Sequence, residues 1–202
     1  MKNFLKKRWP WIVGVCVLIA TVVLLLVRCG GDPVVGEPTL IVETPQKLSA
    51  SQTDEFTLDV TVSNLRDARY PAMSMSVAFD SSRLEFLGVE EGNIFILSDE
   101  NSAGQKLPDW SCNVQNSNDT GRINIMYLDM TGGKNAFTKD LLAEDYNVVL
   151  RLKFRLRGSV RPGDVLDLIV EDAVFAASDE AQSLAMTTET LKVKNGRLVI
   201  GE

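Results

Sequence analysis

Beyond residue 38 the sequence predicts an antiparallel β-sandwich of about nine short strands, and three observations carry the prediction. Apolar and polar residues alternate with period two in several separate segments, the pattern of a strand with one face in a core and the other in water. The most regular is Val148, Leu150, Leu152, Phe154 and Leu156 interleaved with Val149, Arg151, Lys153, Arg155 and Arg157. Clusters of Asp, Asn, Ser, Gly and Pro separate these segments, as turns require. No long helical periodicity follows the N-terminal apolar run.

That run comes first in the chain. Lys2, Lys6, Lys7 and Arg8 form a basic segment (1–8) before the 19 uncharged residues from Trp9 to Val27, which at about 1.5 Å each span the roughly 30 Å hydrocarbon layer. One transmembrane helix or signal anchor is expected over 9–28, with Trp9 and Trp11 at headgroup level. Four basic residues precede it against Arg28, Asp32 and Glu37 after it, which keeps the N-terminus in the cytoplasm and the C-terminal domain extracytoplasmic. Two alternatives stand beside a retained single-pass anchor. A cleaved signal peptide would secrete the domain, although the run exceeds the usual length of about 7–15 residues and no A-x-A-like site follows. Lipidation at Cys29 is suggested by Leu26 and Val27, although Arg28 stands where that pattern has a small residue. Residues 29–38 are a linker in which the Gly- and Pro-rich stretch Gly30 to Pro38 reaches only about 30 Å when fully extended, and 39–202 are the β domain.

Within the domain Leu40-Ile41-Val42 opens. Phe56, Leu58, Val60 and Val62 alternate with Thr57, Asp59, Thr61 and Ser63, and Asn64 to Pro71 reads as a loop. Met73, Met75, Val77 and Phe79 alternate with Ser74, Ser76 and Ala78. Asp80-Ser81-Ser82 then supplies short polar side chains that bond nearby backbone in a turn, and Leu84, Phe86, Leu87 and Val89 resume an apolar run closed by Gly92. Such a pair cannot bury its apolar face alone, so the other segments must supply the opposite wall.

Ile94 to Leu97 is apolar, Ser98 to Asp109 a polar excursion, and Trp110 to Val114 a short strand. Asn116 to Gly121 (NSNDTG) reads as a turn: it has calcium-like oxygens but lacks the spaced acids of a calcium loop. Ile123 to Leu128 is a strand running into the corner Asp129-Met130-Thr131-Gly132-Gly133, and one helical turn is expected within Phe137 to Tyr146. Arg161-Pro162-Gly163-Asp164 turns the chain into Val165 to Val170. Asn195-Gly196, between Leu191–Lys194 and Arg197–Ile200, is the strongest short hairpin signal.

Charge and composition narrow the chemistry. Residues 1–31 carry five basic and no acidic groups, leaving 16 basic against 27 acidic, a net charge of −11, over residues 32–202. That balance repels phosphate backbones and argues against nucleic acid. The chain has no histidine, which removes Ser-His-Asp and Cys-His catalysis and every histidine-containing metal site. Of Cys16, Cys29 and Cys112, only the last lies in the domain, so no internal disulfide forms and Cys112 reads as a small buried hydrophobe. Glu85, Glu90, Glu91, Asp109 and Asp129 offer carboxylates, but no spacing selects the pair that glycoside hydrolysis needs. The domain reads as non-catalytic.

Four segments in order resemble the cohesin domain, the receptor module that binds dockerins in cellulosome-type assemblies. FDSSRLEFLGVEEG (Phe79 to Gly92) is similar to the family's strand, Asp-turn and following strand. INIMYLDMTGG (Ile123 to Gly133) resembles its apolar strand ending in an acidic, glycine-rich corner. VVLRLKFRLRG (Val148 to Gly158) is similar to the next strand, and KNGRLVIGE (Lys194 to Glu202) to the closing hairpin. The resemblance covers roughly residues 38–202 and implies a flattened nine-stranded jelly roll, no catalysis, and a binding face on one sheet with its adjoining loops. It also implies no cofactor here, because dockerins carry calcium in their own paired loops.

Carried over position by position, the resemblance places partner contacts at Ser74 and Ser76, where the family exposes polar residues including an acid, so polarity is kept and charge lost. It adds Met126 as an apolar contact, Asp129, Thr131 and Gly132 at the corner, and Ser178, Asp179 and Glu180 in the loop after Phe175. Taken by itself, Asp129 reads as a solvated strand-end carboxylate ahead of a recognition residue. The basic row Arg151, Lys153, Arg155 and Arg157 is read as an exposed face that deters edge pairing, with recognition of an acidic partner as the alternative.

Three functions follow. The first is a membrane-anchored receptor docking a dockerin-bearing protein in polysaccharide degradation. The second is a structural or adhesive module without a dockerin. The third is direct carbohydrate binding, for which Trp110, Tyr70, Tyr127 and Tyr146 are the available aromatic rings.

Overall fold

Where the sequence alternates, the chain forms strands. A computed structural model of the protein describes residues 36–45, 48–51, 54–94, 110–130, 132–133, 135–142, 147–178 and 183–202. The membrane segment expected over 9–28 lies outside the described residues, among which no helix is long and apolar enough to cross a membrane. Residues Glu37–Glu202 form one compact unit.

Its elements are β1 (Thr39–Val42), β2 (Leu48–Ser49), β3 (Phe56–Ser63), β4 (Ala72–Ala78), β5 (Leu84–Glu91), β6 (Ser111–Cys112), helix α1 (Val114–Thr120), β7 (Arg122–Leu128), a 3-10 turn at Lys139–Leu141, β8 (Val148–Leu156), β9 (Val165–Ala176), β10 (Lys192–Lys194) and β11 (Gly196–Gly201). The 3-10 turn falls inside the stretch expected to hold one helical turn. Setting aside the two-residue strands β2 and β6 leaves nine. They build a five-stranded sheet, β10-β1-β3-β8-β5, and a six-stranded sheet, β2-β11-β9-β4-β7-β6. Pairing is antiparallel except where β1 meets β10 and β2 meets β11.

The inward rows of both sheets form one core. At one place Phe154 is ringed by Phe79 and Phe86, each with centroids 5.5 Å away, and by Phe56 at 6.2 Å. At another, Phe137 meets Tyr127 at 5.2 Å and Phe175 at 5.6 Å. The buried tyrosines keep their polar tips satisfied, as burial of a hydroxyl demands: Tyr70 donates to Leu184 O at 3.0 Å and Tyr127 to Asn135 O at 2.7 Å.

The uneven apolar spacing of β5 is a bulge. The register slips between Phe86 and Gly88, so Leu84, Phe86 and Val89 oppose Leu156, Phe154 and Leu152 in one phase and the extra residue Leu87 is absorbed. β8, between β3 and β5, has its outward cations in ion pairs: Arg151 with Asp59 at 2.9 Å, Lys153 with Glu55 at 2.6 Å and Glu90 at 3.3 Å, and Arg155 with Glu55 at 2.8 Å and Glu85 at 3.6 Å. The expectation that this row deters edge pairing is therefore corrected. β8 is an interior strand with no free edge, and its charges answer acids on both neighbours.

Two turn assignments are also corrected. Asn116–Gly121 lies in and just beyond α1, capped at its start by Asn113, whose side chain accepts from Asn116 N, and at its end by Gly121 in the left-handed region (φ 69°). Sequence periodicity misses this helix because it buries one residue, Ser117, and works through hydrogen bonds instead. Asn118 accepts from Phe86 N at 2.9 Å and donates to Phe86 O at 2.8 Å, so one side-chain amide stands where a neighbouring strand would pair with β5. It closes part of an otherwise open edge.

Asn195-Gly196 is not a hairpin. β10 pairs with β1 in one sheet while β11 pairs with β9 in the other, so the chain crosses the sandwich there. Asn195 Oδ1 accepts from Val170 N at 3.0 Å. Gly196 is needed for close approach: a Cβ there would lie 2.8 Å from Val42 Cγ1. The residue pair that often makes a tight turn here serves a crossover.

Candidate functional site

The six-stranded sheet turns one row of each strand away from the core. On β4 these are Ala72, Ser74, Ser76 and Ala78; on β7, Arg122, Asn124, Met126 and Leu128. Register sets Ser74 opposite Met126, Ser76 opposite Asn124 and Ala72 opposite Leu128. Ser76 donates to Asn124 Oδ1 at 2.8 Å. On the other flank β9 contributes Val174 opposite Ser74 and Asp172 opposite Ser76. Ser74, Ser76, Asn124, Met126, Asp172 and Cys112 line an open depression of about 600 Å³.

An apolar stripe runs beside it. Met126 is 58% exposed, Leu128 56% and Met130 82%, so the alternation of β7 continues past the strand end. Large side chains left in water on a flat sheet face mark an interaction surface more often than a stability feature.

Of the residues expected to touch a partner, Ser74, Ser76 and Met126 come together in the depression. Asp129, Gly132 and Ser178 lie at the end of the same sheet, beside the segment leading into β4. Asp129 N donates to Pro71 O at 2.7 Å and Ser178 N to Arg69 O at 3.0 Å. Thr131, Asp179 and Glu180 lie outside the described residues. Asp129 is half-buried, and its Oδ2 accepts from Gly133 N at 2.6 Å. Its carboxylate therefore closes the corner, and a substitution there perturbs the loop's shape as well as any contact.

Asp172 is the residue that sequence reading left out, because it ended this strand at Val170. The strand runs to Ala176 with a register slip between Ser76 and Val77 of its partner, which leaves Glu171 over. Strict alternation after Leu166, Leu168 and Val170 would bury Asp172. The bulge instead turns Ala173 and Phe175 inward and leaves Asp172 exposed. The signal was present in the sequence as the break of phase between Val170 and Ala173.

Burial raises the Cys112 thiol, the reverse of an activated nucleophile. Glu85 and Glu90 are engaged by Arg155 and Lys153 on the five-stranded sheet, apart from Asp129. Trp110 packs 5.2 Å from Tyr127 and 6.3 Å from Phe137, so its ring is partly committed to the core. Among the described residues no group of three or more acidic or cysteine side chains is placed to hold a metal ion.

Comparison with known proteins converges on one family. A family model described as "Cohesin domain" matches residues 42–193. No curated protein sequence matches. Solved structures do. A cohesin in the Coh-OlpA–Doc918 complex from Clostridium thermocellum shares 20% identity, with a TM-score of 0.58 over 82% of this chain and 99% of that one. The third ScaC cohesin of Acetivibrio cellulolyticus, solved with the ScaB dockerin, shares 12% identity, with a TM-score of 0.56 over 82% and 99%. A non-cellulosomal cohesin from the archaeon Archaeoglobus fulgidus shares 12%, with a TM-score of 0.51 over 83% and 93%. At these identities the likeness is one of fold.

Proposed function

The chain belongs to the cohesin domain family, and from that premise we propose that it is a non-catalytic receptor that docks a dockerin-bearing protein on the outer face of β9, β4, β7 and β6. The observation that carries the reading is the exposed stripe of Met126, Leu128 and Met130 beside a polar depression. An apolar centre ringed by hydrogen-bonding groups is the anatomy of a protein interface. Ser74, Ser76 and Met126 contribute from the strands, and Asp129, Gly132, Thr131, Ser178, Asp179 and Glu180 from the adjoining corner and loop.

The reading includes an N-terminal membrane anchor with the domain extracytoplasmic, which would hold the docked protein near the cell surface for polysaccharide degradation. It assigns calcium to the dockerin and no cofactor to this chain. The test is capture: immobilised protein is offered every dockerin-bearing protein of its own genome, in calcium and after chelation. Calcium-dependent retention of at least one is the expected result, and failure of all of them removes the reading. The non-cellulosomal relative in Archaeoglobus fulgidus favours a second reading, a structural or adhesive module built on the same fold, to which a genome without dockerins would point.

A further inference from the structure

Independently of the docking reading, we propose that the outer face of β9 and β11 is an interface between two copies of this chain, in which Asp167 of each copy meets Arg197 of the other. Among the described residues, two large apolar side chains stay in water outside the stripe from Met126 to Met130: Ile169, 47% exposed, and Val199, 40% exposed. They flank a cross-strand ion pair. Arg197 stands opposite Asp167, and Val199 opposite Val165, all on the outward rows of their strands. The Arg197 guanidinium lies 3.8 Å from the Asp167 carboxylate, with both side chains more than half exposed.

A twofold interface must be its own complement, and this arrangement is. A twofold axis parallel to the strands, midway between β9 and β11, sets β11 of each copy over β9 of the other without sliding either along its length. Arg197 then faces Asp167 at two symmetric contacts, and Val199 covers Val165 at two more. The equivalent axis between β9 and β4 would set Asp172 over Ser76 and Ile169 over Ala78, which joins no opposite charges. The charge pattern therefore selects the first axis.

Strand order leaves room for docking. The two-residue β2, last in the sheet beyond β11, falls over β4 of the other copy, and no strand falls over β7, where Met126 and Leu128 project. On the anchor reading the axis also fits a shared membrane, since it keeps the starts of both β1 strands at one end of the pair. Two apolar side chains per copy make a small contact, in the class of transient interfaces below about 1,200 Å² in total, and confinement to one membrane raises its occupancy. The net charge of −11 over residues 32–202 opposes association, but at physiological salt that repulsion is screened beyond about 8 Å, so the local match decides.

The test is energy transfer between donor- and acceptor-labelled full chains reconstituted together in phosphatidylcholine liposomes at physiological salt. Native chains should show transfer that unlabelled native chain competes away. Arg197→Asp alone and Asp167→Arg alone should each weaken association by about tenfold or more, because each sets like charges together at both contacts. Mixing donor-labelled Arg197→Asp with acceptor-labelled Asp167→Arg should restore it, because opposite charges then meet at both. Each variant breaks the same exposed pair within its own chain, so a purely intrachain role predicts no recovery in the mixture. Val199→Ser should weaken association by about tenfold, since it removes an apolar side chain from each of two symmetric contacts. Equal transfer in the native, single-variant and mixed samples overturns the interface, as does loss in both single variants with no recovery on mixing.

Discussion

Replacing Met126 and Leu128 together with serine should abolish most of the docking affinity while leaving the fold intact. With 58% and 56% of their surfaces in water, the two side chains together offer slightly more than one full apolar side chain for burial, worth about 1.5–3 kcal/mol. Loss of that term raises Kd by about 10- to 150-fold. Both residues point away from the core on β7, so the unfolding free energy should move by no more than about 0.5 kcal/mol. Calorimetric titration of native and double-variant chains against a captured dockerin measures the first quantity, and urea denaturation the second. A folded variant whose Kd stays within about threefold of native would refute the assignment of the stripe to the interface.

Two further predictions concern the scaffold. Asn118→Ala deprives the Phe86 backbone of both hydrogen bonds that this one side chain makes to it on the open edge of β5 and should cost about 2–3 kcal/mol of stability, since each stranded backbone group costs about 1–3 kcal/mol and water recovers part of it. Urea denaturation reads the loss, and a change under 0.5 kcal/mol would mean that the edge needs no cap. At the turn after β4, hydrogen bonds from Ser82 and then the Arg83 guanidinium hold the Asp80 carboxyl below its usual range. A depressed folded value stabilises above the ordinary carboxylate pKa of about 3.9 and is lost as pH falls through the folded value. Melting temperature should therefore fall below about pH 4 more steeply in the native chain than in Asp80→Asn, by an amount worth no more than about 1 kcal/mol because the pair is a third exposed. Parallel acid limbs would show that the turn gains nothing from the charge.

Much of this fold was legible because burial in a sandwich writes itself as alternation. β3, β4, β7 and β8 follow their apolar rows closely, and Ser74, Ser76 and Met126 shared a face as that alternation required. What escaped was whatever departs from period two or acts through polar atoms. Helix α1 is held by Asn113, Asn118 and Gly121 rather than by an apolar stripe. Asn195-Gly196 has the composition of a tight turn yet serves a close approach to Val42. Asp172 reaches the surface only because a bulge in β9 resets the phase. The ion-pair ladder of β8 needed the order of strands, which no local pattern contains.

Methyl-labelled methionine spectra provide the most direct test of where a partner sits. Of the six methionines, Met126 and Met130 are exposed on or beside the proposed face, whereas Met73, Met75 and Met186 are buried. Adding a dockerin-bearing partner in calcium should shift the Met126 and Met130 methyl signals in proportion to occupancy and leave Met186 in place. A partner that binds while both exposed methyls stay unmoved would place the interface elsewhere on the domain and contradict the account.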